Sequence, residues 1–290
     1  MKTLIFFNHP APYKVKLFNA LAKKIDLFVM FERKSASDRP KEFYAENNFA
    51  FEHRFLEKGA FSRENSFSFI PKRYIKANYK NYDLIVMNGY STISEQIAIN
   101  YMIRKHIPYV LFVNGGVIRE KENFLKRKLK SRYIKNAIGY LSPNEQANKY
   151  LRYYGATNPI FNYPYSTYFE KDIKKPNIPE EERMALREKY DLPKGKLLIS
   201  ASNFIERKNN IGIFDAVKNE DCTFVLYGNG PLKEKYVEYL KSNNIGNVII
   251  REFVKSNELM NIMSCCDGFI TLSNEDIYGH VINEALSQGL

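Results

Sequence analysis

Nine short apolar runs, at residues 3–7, 27–31, 84–87, 109–113, 138–141, 197–200, 223–227, 248–250 and 268–272, recur along the chain. Between them lie stretches at 15–24, 93–105, 145–153, 209–218, 232–242 and 257–265, in which apolar residues return every three or four positions, as on one face of a helix. A chain alternating in this way joins parallel strands by crossover helices that cover both faces of a sheet, so the expected fold class is α/β. The alternation breaks between Asn162 and Pro193, where Pro164, Pro176, Pro179 and Pro193 surround a charged helical segment. Proline fixes φ and removes a backbone donor, so this density interrupts regular structure. Two Rossmann-like domains are expected, at 1–165 and 195–290, with a linker at 166–194 and a cleft between them as the default ligand site. Residues 35–68 show little alternation and read as loops plus one short strand near 51–56.

Composition excludes several other classes. At 290 residues, 44% apolar and 26% charged, the chain has the profile of a globular protein with enough core for two domains. No apolar run approaches the ~18 residues of a membrane-spanning helix, and the opening Met-Lys-Thr-Leu-Ile-Phe-Phe is too short for a secretory signal, so a cytoplasmic protein is expected. Three cysteines, two of them adjacent at Cys265 and Cys266, give neither a disulfide framework nor metal-ligand spacing. The net charge of +12 is uneven, for residues 119–135, bounded by Arg119 and Lys135, hold eight Lys/Arg against two Glu. Phe124, Leu125, Leu129, Tyr133 and Ile134 interleave there at helical spacing. Such a helix is either a solvated face or a surface that meets anionic lipid or a polyanionic substrate. No nucleic-acid module accompanies the charge, so nucleic acid is not an expected partner.

Four turns in the second half carry polar chemistry where strands end. Asn203-Phe-Ile-Glu-Arg207-Lys208-Asn sets two cations ahead of a helix start, a place where a diphosphate meets fixed charge and unsatisfied N–H groups. Tyr227-Gly228-Asn-Gly230-Pro231 ends a strand in a glycine turn, with a helix expected from Pro231. It is either a tight turn or a surface that lets a base or phosphate approach, and it lacks the third glycine and acidic partner of a dinucleotide fingerprint. Arg251-Glu-Phe253-Val254-Lys precedes a helix that Ser256 or Asn257 is expected to cap. Ser273-Asn-Glu-Asp276-Ile-Tyr278-Gly279 opens a helix carrying Glu284, so that two carboxylates with seven residues between them can accept hydrogen bonds from the hydroxyls of one sugar or ribose.

Taken in order, these four turns resemble the donor-binding domain of the retaining GT-B glycosyltransferases of family 4, across nearly all of residues 195–290. The resemblance implies a GT-B fold and a nucleotide-sugar donor held by the second domain, with an acceptor held by the first. It implies that Asp276 and Glu284 bind the donor sugar and ribose, Asp276 standing where the family has a longer glutamate. Lys208 matches the family's diphosphate-binding lysine. Asn203 occupies the usual arginine position, which leaves Arg207 as the substitute cation. Gly228, Gly230, Phe253, Val254, Tyr278 and Gly279 complete the donor set. In the first domain His9, Tyr13, Tyr90, Gly115 and Gly116 follow strand ends and are the acceptor-side candidates.

The implied reaction is sugar transfer to an acceptor hydroxyl with retention, in the synthesis of a cell-surface polysaccharide or glycolipid, with no cofactor and no metal. Partners are then the nucleotide-sugar, a glycan or lipid-linked acceptor, and an anionic membrane surface at 119–135. Two alternatives stand beside it: an inactive, membrane-peripheral binding module, and a GT-B UDP-sugar epimerase. Family members usually continue past the position of Leu290, so the second domain is expected to be partial.

Overall fold

The structure is a computed structural model that describes residues 1–35, 41–44, 48–56, 68–118, 121–163, 170, 173, 178–276 and 279–290. The chain divides into two compact units, Met1–Thr167 and Tyr168–Leu290.

The first unit is built on a seven-stranded sheet in which every adjacent pair is parallel. Its strands are β1 (Lys2–Phe7), β2 (Asp26–Phe31), β3 (Glu52–Phe55), β4 (Leu84–Met87), β5 (Val110–Phe112), β6 (Gly139–Ser142) and β7 (Ile160–Asn162), in the order β3-β2-β1-β4-β5-β6-β7. Consecutive residues of a strand point to opposite faces, and here both sets are buried. Leu4, Phe6, Met30, Met87, Leu111 and Tyr140 pack under α2 (Ile70–Asn78), α3 (Ile93–Lys105), α4 (Phe124–Lys135) and α5 (Glu145–Tyr153), through Ile75, Ile99, Met102, Ile134 and Leu151. Ile5, Phe7, Val29, Phe31 and Phe112 form the other layer with Phe18 of α1 (Pro12–Ala22), whose ring meets Phe7 edge-on at 5.2 Å. Each such side chain removed from water contributes about 1.5–3 kcal/mol, which is why the apolar runs are continuous rather than alternating.

Local signals set the ends of the helices. Thr92 and Glu95 form a reciprocal capping box at the start of α3, and His106 ends that helix in a left-handed conformation at φ 53°. Pro12 sits in the first turn of α1, where its missing N–H costs nothing.

The second unit has a four-stranded parallel sheet of β8 (Leu197–Asn203), β9 (Thr223–Asn229), β10 (Val248–Arg251) and β11 (Gly268–Phe269), ordered β10-β9-β8-β11. One face packs Leu197, Ile199, Val225 and Tyr227 against α9 (Ser256–Ser264) and Ala285 of α10 (His280–Ser287), with Leu186 of α6 (Glu180–Lys189) beside them. The other packs Phe224 and Leu226 against α7 (Asn210–Val217) and α8 (Lys233–Ser242).

The segment 178–192 within the proline-bearing stretch is part of this unit's core through Ile178, Leu186, Tyr190 and Leu192. Arg187 of α6, buried, donates to the carbonyls of Cys265, Lys194 and Gly195 at 2.9, 2.8 and 2.7 Å and to Asp267 Oδ2 at 2.9 Å. Asp267 also pairs with Arg183 and accepts from Leu197 N at 2.7 Å, so these bonds pin the sheet's first strand to α6.

Two expected helix starts are corrected. Pro231 and Leu232 form a turn and α8 begins at Lys233, because Leu232 N is held by Phe204 O at 3.2 Å outside the helix. Neither Ser256 nor Asn257 caps α9. Lys255 takes the cap position, and the Ser256 hydroxyl is spent on another partner.

Candidate functional site

In a parallel sheet the strand order reverses at one point, and the loops leaving the carboxyl ends of the two strands there diverge to leave a crevice. In the second unit β8 has β9 on one side and β11 on the other, which puts this point between β8 and β11. Arg207 and Lys208 lie in the 3-10 turn after β8, and Asp276 lies in the segment after β11. The two segments clasp. Asn274 N donates to Arg207 O at 2.9 Å, Arg207 Nη1 donates to Glu275 O at 3.0 Å, and Lys208 forms an ion pair with Asp276. Sequence positions 68 apart are thereby brought into one polar cluster.

Asp276 Oδ1 also accepts from Gly279 N at 3.2 Å, at the N-terminus of α10. Gly279 has φ 70°, a left-handed conformation that a side chain would strain, and its amide is the one that the Asp276 carboxylate holds. Lysine ammonium and helix N-terminus both act on one carboxylate, so the position favours negative charge, whether from Asp276 or from an arriving anion.

Glu284 sits on α10 and accepts from Ser256 Oγ at 2.8 Å, which ties it to the start of α9. The segment before Ser256 carries Phe253, exposed, and Val254, packed against the core. Asn203 is the last residue of β8, in register with Asn229.

Gly228 and Gly230 have a different origin. A Cβ on Gly228 would stand 1.9 Å from Ser202 O, and one on Gly230 would stand 2.6 Å from Phe204 O. The close approach of β8 therefore requires glycine there, which accounts for the turn without a ligand. Tyr278 lies outside the described residues.

In the first unit β1 has β2 and β4 on its two sides, so the reversal falls between β1 and β4. His9, after β1, has Nδ1 3.1 Å from Tyr44 Oη, and Tyr13 follows half-buried in the first turn of α1. After β4, the Tyr90 and Tyr150 hydroxyls are 2.7 Å apart, and burial above all, then Tyr150, raises the Tyr90 phenol above its ordinary pKa. Tyr150 also covers Gly116, where a Cβ would stand 2.3 Å from the ring. Tyr90 and Gly116 thus converge on Tyr150, which the sequence marks only as one more position of a helix.

Sequence reasoning also missed a buried carboxyl pair. Thr92 Oγ1 donates to Glu32 Oε1 at 2.7 Å, and Glu95 Oε2 accepts from Thr92 N at 3.0 Å and Ser91 Oγ at 3.2 Å. Burial and the nearby Glu32 charge push the Glu95 carboxyl up to about 8. The signal for Glu95 was present as Thr-x-x-Glu ahead of an apolar run. Nothing in the sequence marked Glu32.

Nearby, Asn114 Nδ2 donates to Asn88 Oδ1 at 2.7 Å, linking the loops after β4 and β5. Among the described residues no three His, Cys, Asp or Glu are grouped to hold a metal ion, and no helix is long and apolar enough to cross a membrane.

Residues 182–290 match the family model described as glycosyl transferases group 1. No curated protein matches the sequence. Among solved structures the chain is similar to HepE of Anabaena in complex with UDP, at 13% identity and a TM-score of 0.73, over 100% of this chain and 79% of that one. It is also similar to a glycosyltransferase from Rickettsia africae, at 13% identity and a TM-score of 0.70, over 99% and 77%. A third is WaaG, a glycosyltransferase involved in lipopolysaccharide biosynthesis, at 12% identity and a TM-score of 0.67, over 99% and 79%. These likenesses establish the fold as GT-B.

Proposed function

We propose, from the premise that the chain is a glycosyltransferase of GT-B fold with a glycosyl transferases group 1 domain at residues 182–290, that it moves a sugar from a nucleotide-sugar donor to an acceptor hydroxyl with retention. The observation that carries this reading is the clasp at the β8/β11 reversal, which sets Lys208 and the α10 N-terminus on one carboxylate, with Arg207 on the carbonyl of the residue before it. When the bond between the anomeric carbon and the diphosphate breaks, negative charge collects on the departing phosphate. Cations and amides fixed beforehand at that place lower the barrier without reorganising. Lys208 and Arg207 are assigned to the leaving diphosphate. Asp276 and Glu284 are assigned to the hydroxyls of the donor.

Binding the donor exchanges one partner of Lys208 for another. In the free protein Asp276 fills the anionic position, and a diphosphate displaces it toward the sugar. HepE forms complexes with UDP, with UDP and glucose, and with UDP-glucose, which makes a UDP-sugar the first donor to try. The acceptor is assigned as a growing surface glycan or a lipid-linked sugar, elongated at the inner face of a membrane. Asn203 in the usual arginine position favours the inactive-module alternative, whereas the Arg207 contact with the Asp276 segment supports an enzyme.

The test is nucleoside diphosphate release from a panel of UDP- and GDP-sugars, with and without glycan and lipid-linked acceptors. Release that depends on an acceptor is expected. No release from any donor sinks the enzyme reading, and sugar isomerisation or UDP release that ignores acceptors points to the epimerase.

A further inference from the structure

The loops that leave β4 and β5 are joined twice, and the two joins differ in kind. Asn88 and Asn114, one in each loop, bond directly, with Asn114 Nδ2 2.7 Å from Asn88 Oδ1. Two residues further along each loop the link runs through a third element. Tyr150, in the second half of α5, has its hydroxyl 2.7 Å from that of Tyr90, and its ring lies on Gly116.

The contact with Gly116 is as confining as the hydrogen bond. A Cβ on Gly116 would stand 2.3 Å from Tyr150 Cγ and 2.6 Å from both Cδ carbons. Cγ lies on the axis about which the ring turns, so no rotation of the ring clears it and Tyr150 itself has to move. Gly116 is not among the glycines of positive φ, so the ring, and not the backbone, requires glycine there.

Tyr150 is held in turn from behind. It keeps 8% of its accessible surface, and its ring is 4.7 Å from that of Tyr154, whose hydroxyl donates to Glu122 Oε2 at 2.7 Å. Glu122 also pairs with Lys130, and the Lys130 ammonium stands 4.9 Å over the Tyr154 ring and 5.8 Å over the Tyr150 ring. A sheltered polar network of this kind holds its members in one arrangement. On the other side Tyr90 is fastened to two helices. Its carbonyl accepts from Gln96 Nε2 of α3 at 3.1 Å, and its ring meets that of Tyr133 of α4 at 5.6 Å.

We propose that Tyr150 is a positioning residue, which sets the spacing of the loops after β4 and β5 and so holds Tyr90 and Gly116 in the arrangement that an acceptor meets. The acceptor rests on the proposed transferase function. The spacing does not. Loops fixed beforehand bind at full affinity, whereas loops that leave the binding arrangement weaken binding in proportion to the time spent away from it. A brace standing outside both loops does this without filling the space of the ligand.

Two variants separate the two contacts, with amide hydrogen exchange as the first readout. Tyr150→Phe removes the hydroxyl and keeps the ring on Gly116, so exchange at 89–92 should quicken about fivefold while exchange at 114–117 stays as it was. Gly116→Ala drives the ring away and takes the hydroxyl with it, so both segments should quicken. In Tyr150→Ala the added methyl has no ring to meet. Gly116→Ala/Tyr150→Ala should therefore exchange no faster than Tyr150→Ala alone, a departure from additivity that residues in contact give.

Sugar transfer is the second readout. Tyr150→Phe should raise the acceptor KM about fivefold, and Gly116→Ala should raise it further, with kcat at saturating acceptor within about twofold and UDP affinity unchanged. Additive exchange in the double variant, or unchanged exchange at 89–92 in both single variants, would overturn the spacing. A loss carried by kcat or by UDP affinity, with the acceptor KM unmoved, would overturn the role toward the acceptor. The expected exchange in a chain that releases no nucleoside diphosphate from any donor upholds the spacing while removing the transferase reading.

Discussion

The two units solve the same topological problem with different chemistry. In both, a parallel sheet reverses its strand order and side chains link loops at the sheet's carboxyl edge. In the second unit the links are charged and reach solvent, through Lys208 with Asp276 and Arg207 with the Glu275 carbonyl. In the first they join the loops after β2, β4 and β5, through the buried Glu32, Thr92 and Glu95 and through Asn88 with the half-buried Asn114. Lys208 keeps only 11% and Asp276 31% of side-chain exposure, so an anion that arrives at the edge can replace the carboxylate on a sheltered ammonium without leaving that charge unpaired. A buried network is costly to disturb and holds its loops in one place. Under the proposed function the charged edge is the one that receives an anion, and the buried edge is left to position the neutral, hydroxyl-bearing partner.

Removing Lys208 should have the largest effect. Lys208→Ala is expected to lower donor turnover by about 10²–10³-fold, the usual cost of one preorganised charge-stabilising group, with little change in thermal stability. A large loss of stability with unchanged turnover would make the pair structural and erase the contrast.

The next test addresses the buried edge. Glu95 has its pKa raised when folded, to about 8, so its contribution to stability is complete below the unfolded carboxyl value near 4.5 and is lost as pH rises through 8. Glu95→Gln cannot ionise, and it should flatten the fall in melting temperature between pH 5 and pH 9, a fall that amounts to on the order of 4 kcal/mol in the wild type. Parallel profiles would show that Glu95 and Glu32 do not share a dry site. The smallest effect is expected from Tyr150→Phe, which removes the hydroxyl facing Tyr90 and should cost about 1 kcal/mol in thermal unfolding.

Much of this was legible in the sequence, for reasons that differ by element. The spans of α3 and α5 were readable to the residue. Strong apolar periodicity, the capping box at Thr92 and the cap at Asn144 mark those helices. Strand β7 was not read, because three residues beside Pro159, with Phe161 exposed at the sheet edge, carry no alternation to detect. The helix starts near Pro231 and Ser256 were misjudged because tertiary bonds, Leu232 to Phe204 and Ser256 to Glu284, override the local capping preference.

At the candidate site the residue types were visible in the four turns, but the clasp between positions 207–208 and 274–276 was not, since only the strand order brings those segments together. The requirement for Gly228 and Gly230 likewise became specific only with β8 in place. Glu32 was invisible because a lone acid after an apolar strand has no partner in sequence.

The claim at the centre of this account is that the β8/β11 clasp is where a donor diphosphate binds. Calorimetric titration of UDP into the wild type, Lys208→Ala and Lys218→Ala tests it most directly, Lys218 being a cation paired with Asp215 at the end of α7. The wild type and Lys218→Ala should bind alike, with Lys208→Ala weaker by about tenfold or more, equivalent to about 1.4 kcal/mol. Equal affinity in all three proteins would contradict the assignment of the anionic position to the donor.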